Sequence, residues 1–150
     1  MVTAARSDST HMHVAVIFDS TMGRTRAMAQ AICEGARSEG RECELIEAAS
    51  YQNLEDVCAV AVGSSTRIKK PLPAVREVLS SMTSLSGLAA ASFGSYGWSG
   101  EAPEIIADIL RSKGARIIQD EPLRAKDYPG EEKLDECRAL GRRLAKECMH

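Results

Sequence analysis

Three short stretches concentrate the residues able to do chemistry. Residues 19–25 (DSTMGRT) place the hydroxyls of Ser20, Thr21 and Thr25, the flexible Gly23 and the cation of Arg24 within seven positions. At the start of a helix, where the first backbone N–H groups have no partner, such a set makes a cradle for an anion. The same hydroxyls could simply cap the helix, which is their commoner use. Residues 93–103 (FGSYGWSGEAP) set Tyr96 and Trp98, the only tryptophan, among Gly94, Gly97 and Gly100. Two aromatics in a glycine-rich loop can offer a platform to a flat ring, the alternative being a loop folded back onto the core. Residues 63–73 (GSSTRIKKPLP) run from small residues through Ser65, Thr66 and Arg67 to Lys69 and Lys70, with prolines at the exit. They read either as a solvated basic loop or as a third wall of one site.

The elements between these stretches decide whether they meet. Apolar runs at 14–18, 43–47, 57–62 and 88–93 predict strands, and 115–118 begins a fifth. The run 57–62 (VCAVAV) is apolar throughout, as a strand covered on both faces should be. Helical patterns over 25–39, 73–82, 101–113 and 131–148 separate them, the last with Leu134, Cys137, Leu140 and Leu144 on one stripe. Alternating strand and helix predicts a doubly wound, five-stranded parallel α/β sheet with helices on both faces. In the common order 2-1-3-4-5, strands 1, 3 and 4 are neighbours. Ligands bind such sheets beyond the carboxyl ends of the strands, where the order reverses. The three unusual loops follow those three strands.

Bulk properties exclude several classes. The chain has 150 residues, enough for one domain over 13–150, preceded by a polar leader at 1–12 that is expected to be mobile. A net charge of −2, with both signs mixed, implies no nucleic-acid partner and no anionic membrane. No run is long and apolar enough to span a bilayer. Five cysteines, odd in number and without a C-x-x-C, read as reduced thiols in a cytoplasmic protein. Cys33, Cys58 and Cys137 are expected as small buried hydrophobes, and Cys148 as an exposed thiol near the chain end. No metal site and no catalytic residue is predicted.

The three loops also carry a resemblance. Residues 18–25, 62–75 and 93–103, with 122–145 (PLRAKDYPGEEKLDECRALGRRLA), resemble the short-chain flavodoxins, most of all the flavodoxin-like module of flavodiiron proteins. The likeness runs from Val14 to about Lys146, and the run GSYGWSG is its most specific part. It implies a flavodoxin-like fold with non-covalently bound flavin mononucleotide (FMN) used for electron transfer. Carried over by position, Ser20, Thr21, Met22, Gly23, Arg24 and Thr25 would hold the phosphate. Ser65, Thr66 and Arg67 would line one side of the flavin ring, and Ser95, Tyr96, Gly97 and Trp98 the other. The implied partners are redox proteins, such as a diiron protein or a flavin or iron–sulfur reductase. The chain itself reads as an electron carrier rather than a stand-alone enzyme, with at most weak FMN-dependent reductase activity. The other reading is a flavodoxin-fold interaction module with a degenerate FMN site.

Two features of the middle loop depart from that pattern. It has Ile68, Lys69 and Lys70 in place of an Asn/Gly-rich turn, so a positive φ there is disfavoured by about 1 kcal/mol or more. Its cations stand where flavodoxins commonly carry acids, which would favour the anionic, fully reduced flavin and steer an acidic partner. Other uses of a loop after strand 1 lack a required residue. A low-molecular-weight phosphatase needs a cysteine that this loop lacks, and a dehalogenase-like phosphatase needs an acid where Thr21 stands. Asp19 is left as a turn or capping residue.

Overall fold

The computed structural model describes residues 12–148. Apart from Met12, the 1–12 leader lies outside the described residues. In chain order the elements are β1 (His13–Asp19), α1 (Arg24–Ser38), β2 (Cys43–Glu47), β3 (Val57–Ser64), β4 (Thr66–Arg67), β5 (Lys70–Pro71) and α2 (Pro73–Ser81). There follow β6 (Ala89–Tyr96), α3 (Ala102–Ser112), β7 (Arg116–Ile117), β8 (Leu123–Lys126) and α4 (Glu131–Glu147). A short 3-10 turn, Ala48–Ser50, follows β2.

The main sheet is parallel in the order β2-β1-β3-β6-β7, with β8 also on β6. This is the predicted 2-1-3-4-5 arrangement, and its fifth place is shared by two short strands. β7 pairs with the first half of β6 and β8 with the second, Phe93 lying opposite Leu123. Between them the side chain of Gln119 stands in for a strand peptide. Its Oε1 accepts from the Ser92 N–H at 2.8 Å and its Nε2 donates to the Ser92 carbonyl at 3.1 Å. The ladder is therefore satisfied where the backbone leaves it.

β1 shows why the core forms on both faces. Its side chains alternate, as the two-residue period of a strand requires. Val14, Val16 and Phe18 enter one cluster, with Met28 and Ile32 of α1 and Leu140 and Leu144 of α4. Ala15 and Ile17 enter the other, with Val75 and Leu79 of α2 and Ile106 and Leu110 of α3. α1 and α4 lie very close together because both present glycine at the crossing. A Cβ on Gly35 would sit 1.9 Å from the Arg138 carbonyl oxygen, and one on Gly141 would sit 1.8 Å from that of Ile32.

The cysteines correct the sequence expectation. Cys33 is bonded to Cys43, and Cys58 to Cys148, leaving only Cys137 as a free thiol. Separations of 10 and 90 residues become Cα–Cα distances of 5.4 and 5.1 Å once α1 lies on β2 and the end of α4 reaches the start of β3. Neither proximity is visible in the spacing. Cys148, expected to be exposed, is buried, and Cys33 and Cys58 are bridge partners rather than inert thiols. Cys137 behaves as expected: it is buried, and burial pushes its thiol up to about 12.

Cys58–Cys148 closes the longer of the two loops, and a bridge over such a span stabilises chiefly by restricting the unfolded chain, by about 2–4 kcal/mol. Replacing both residues by Ser should lower the unfolding midpoint in urea by a matching amount. An unchanged midpoint would show that the pair is not bonded in solution.

Candidate functional site

The three loops singled out in the sequence follow β1, β3 and β6, which are adjacent in the sheet, so their starts are brought to one rim. Hydrogen bonds then join every pair of them. Buried in α1's first turn, the Thr25 hydroxyl lies 2.7 Å from that of Ser95 and 3.2 Å from that of Ser65. Between the first and middle loops, the Ser65 N–H also donates to the Asp19 carbonyl at 3.4 Å. Between the middle and aromatic loops, the Thr66 hydroxyl accepts from the Ala102 N–H at the head of α3, at 3.0 Å. A hydroxyl can donate one and accept two, so Thr25 can hold both neighbours at once.

The first loop has the features of an anion cradle. Asp19 turns the chain by accepting from the Ser20 N–H at 2.9 Å, the turn role expected of it. Ser20 Oγ then accepts from the Gly23 N–H at 3.0 Å, and Gly23 takes φ 81°, which glycine adopts without strain. No side chain caps α1 and no acidic residue lies in its first turn, whereas α3 has Glu104 there and α4 has Glu131 and Glu132. The positive end of the α1 dipole thus faces the loop with no carboxylate in the helix's own first turn to oppose an anion. Thr21 and Met22 are exposed beside it.

Arg24 does something the sequence did not suggest. Its guanidinium lies 3.9 Å from Asp127 Oδ1, in the loop after β8. Asp127 in turn donates its N–H to the Tyr96 carbonyl at 2.7 Å, so a fourth loop abuts the site. A Cβ on Gly97 would stand 3.6 Å from Arg24 and 3.8 Å from Asp127 Oδ1. Neither Asp127 nor Tyr128 was picked out from sequence. The signal available was the strand–turn–helix pattern of 122–145, which fixes where that loop must emerge.

The aromatic loop is not folded back onto the core: Trp98 is 96 % exposed. Tyr96 is held close over Gly100, where a Cβ would come within 2.8 Å of its ring. Arg124 of β8 pins the loop, donating from Nε to the Gly100 carbonyl at 2.8 Å and from Nη2 to Glu104 at 3.1 Å.

The middle loop holds the largest surprise. After Ser65 it forms a hairpin, β4 against β5, with Arg67 opposite Lys70 and only Ile68 and Lys69 at the tip. Both tip residues have positive φ, 51° and 62°, the backbone that a two-residue turn of this hand demands. The turn adopts this backbone despite the cost expected for residues other than glycine, because closing the hairpin overrides the local preference. Ser64 anchors the base, its hydroxyl accepting from the Leu72 N–H at 2.8 Å and donating to the Ser65 carbonyl at 2.7 Å. Arg67, Ile68, Lys69 and Lys70 are all exposed. A cavity of about 640 Å³ lined by His13, Arg37 and Cys43 lies elsewhere, by the starts of β1 and β2, and includes none of the loop residues.

Thus Thr25, Ser65 and Ser95 meet directly, Ser20 and Gly23 shape the first loop, and Thr66 caps the helix after the third. Thr21, Met22, Arg67 and Trp98 stand exposed on the surrounding loops, and Tyr96 and Gly97 lie on the aromatic one. Among the described residues no His, Cys, Asp or Glu cluster could hold a metal ion. No helix among them is long and apolar enough to cross a membrane.

Comparison with known proteins agrees with this geometry. The flavodoxin family model matches residues 16–141. A flavodoxin from the domain Archaea has a TM-score of 0.85 and 36 % identity, over 93 % of this chain and 100 % of that one. The flavodiiron protein of Giardia intestinalis gives a TM-score of 0.86 and 32 % identity, over 93 % of this chain but 37 % of its own. The type A flavoprotein fprA of Rhodobacter capsulatus is 34 % identical over 140 residues, 87 % of this chain and 32 % of that protein. The chain spans about a third of the length of such curated relatives. The family match over most of the sequence, the sheet order and the fully covered archaeal counterpart lead to one conclusion: this chain belongs to the flavodoxin family of FMN-binding electron-transfer proteins.

Proposed function

We propose that FMN sits among the loops after β1, β3 and β6, and that the chain passes electrons between protein partners without transforming a substrate of its own. The observation that carries this reading is the Thr25–Ser65–Ser95 junction, which fixes an uncapped helix end, a hydroxyl-rich turn and an exposed tryptophan around one rim. Bound there, FMN supplies one- and two-electron redox chemistry. The residues of the chain do the rest. Ser20, Thr21, Met22, Gly23 and Arg24, with the first N–H groups of α1, would hold the phosphate. Thr25 acts from beneath, its hydroxyl already committed to the two serines. Ser65, Thr66 and Arg67 would border the ring on one side, and Ser95, Tyr96, Gly97 and Trp98 on the other, the exposed indole of Trp98 being free to offer it an aromatic surface.

The partners are redox proteins. The similarity to flavodiiron proteins makes a diiron protein a natural acceptor and a flavin or iron–sulfur reductase a natural donor. A cytoplasmic location was read from thiols, and the two bonded cysteine pairs remove that support.

The purified protein should show the visible bands of oxidised flavin, or acquire them on titration with FMN. A colourless protein unchanged by FMN would refute the proposal. Trp98→Ala should weaken FMN binding about tenfold, the loss of roughly 1–1.5 kcal/mol of stacking, read by flavin fluorescence. Thr25→Val leaves two buried serine hydroxyls short of a partner and should cost about 1–3 kcal/mol of stability in a urea titration of the apoprotein, with weaker FMN binding in consequence. Reversing both Lys69 and Lys70 to Glu should lower the potential of the second reduction step, because their positive charge favours the anionic product; a spectroelectrochemical titration showing no shift would sink that electrostatic account.

A further inference from the structure

Four large hydrophobic side chains stand exposed among the described residues: Met22 at 70 %, Ile68 at 86 %, Trp98 at 96 % and Tyr128 at 64 %. They lie on the loops after β1, β3, β6 and β8, all of which leave the carboxyl ends of parallel strands. Among the described residues the large exposed apolar side chains are thus confined to one rim, and such a grouping marks a binding surface. The cofactor site proposed above uses Met22 and Trp98. It does not use Ile68 or Tyr128.

Ile68 is the more telling of the two. A β-branched residue at φ 51° is a conformational outlier that Gly or Asn would avoid. Strain of this kind persists where the surroundings impose it, and it gathers at sites of function. Here the side chain recovers nothing from burial within its own chain, being almost fully exposed. The hairpin is closed by the Arg67–Lys70 pair and anchored at its base by Ser64, so the tip is presented on a short, braced support. Three cations, Arg67, Lys69 and Lys70, surround it, and none is in an ion pair among the described residues. Several surface arginines elsewhere are matched by carboxylates, as in Arg26–Glu47, Arg111–Asp108, Arg116–Glu147 and the Arg138 cluster, while Lys126, Arg142 and Lys146 are exposed outside any ion pair among the described residues but lie apart from one another in sequence, unlike the three cations of the hairpin.

We infer that the β4–β5 hairpin is a docking device, in which Ile68 enters an apolar socket on a redox partner protein while Arg67, Lys69 and Lys70 meet a ring of carboxylates around that socket. An aliphatic anchor supplies affinity and the cations supply steering and orientation. One isoleucine on a braced tip suits a protein socket. A membrane-bound segment would need a broader apolar face. The inference rests on the electron-transfer reading for the kind of partner, but its geometry does not require bound flavin.

The test is a titration of the 15N-labelled chain, with and without FMN, using an acidic plant-type ferredoxin as probe and a basic c-type cytochrome as control. The ferredoxin should shift the amide signals of residues 67–70 and the cytochrome should not. Added salt should weaken the ferredoxin complex. Ile68→Asn should raise its dissociation constant at least fivefold while the thermal midpoint holds or rises, because Asn tolerates the backbone that strains Ile. The pair Lys69→Glu and Lys70→Glu should raise the constant at least tenfold at low salt and flatten its salt dependence. Equal binding of the cytochrome, ferredoxin binding unaffected by Ile68→Asn, or a lower thermal midpoint in that variant would overturn the inference. So would binding to phosphatidylserine vesicles in place of ferredoxin. Failure of the cofactor reading shows separately, as absent flavin absorbance with the docking shifts intact.

Discussion

Residues 40 and 70 positions apart in the chain share one buried hydroxyl junction, Thr25 with Ser65 and Ser95, and the functional rim is organised around it. Removed from water, three hydroxyls cost free energy unless they satisfy one another, so the loops are not free to separate independently. The same contact sets the position of the first turn of α1. It thereby fixes where the open N–H groups of that helix point relative to the hairpin on one side and the aromatic loop on the other. Thr66 and Arg124 extend the constraint to the head of α3 and to the edge of the sheet.

Beneath the rim, the sheet is held in register by devices that leave its carboxyl edge untouched. Glycines at 35 and 141 let α1 and α4 meet at backbone distance. The two disulfides tie those elements to the sheet, Cys33 joining α1 to β2 and Cys148 joining the end of α4 to β3. Gln119 repairs the broken fifth strand with its own amide. The loops can then carry exposed aromatics and cations that add nothing to the core, because stability is supplied elsewhere. The hairpin tip is the extreme case, with two positive-φ residues and an isoleucine in water.

Much of this was legible in the order of residues. Alternating apolar runs and amphipathic stripes pointed to the doubly wound sheet, since periodicity reports directly which faces are buried, and the commonest strand order for such a sheet proved to be the one adopted. The composition of the loops after β1, β3 and β6 marked the same residues that the structure gathers there. Asp19 as a turn residue and Cys137 as a buried thiol also followed from local pattern.

What only tertiary structure decided depends on distances between segments remote in sequence. The disulfide partners of Cys33 and Cys58 follow from where the helices cross the sheet, which the spacing of cysteines does not encode. Arg24 faces Asp127 because β8 delivers that carboxylate beside the first loop. Thr25 turned out to be a tie beneath the cradle, its hydroxyl drawn to two serines that only the folded sheet brings within reach. Ile68 and Lys69 adopt a backbone that their own propensities oppose, since the hairpin that holds them is closed by pairing on both sides and by Ser64 below. Local chemistry determined which residues could form the site; the geometry of the sheet determined which of them touch.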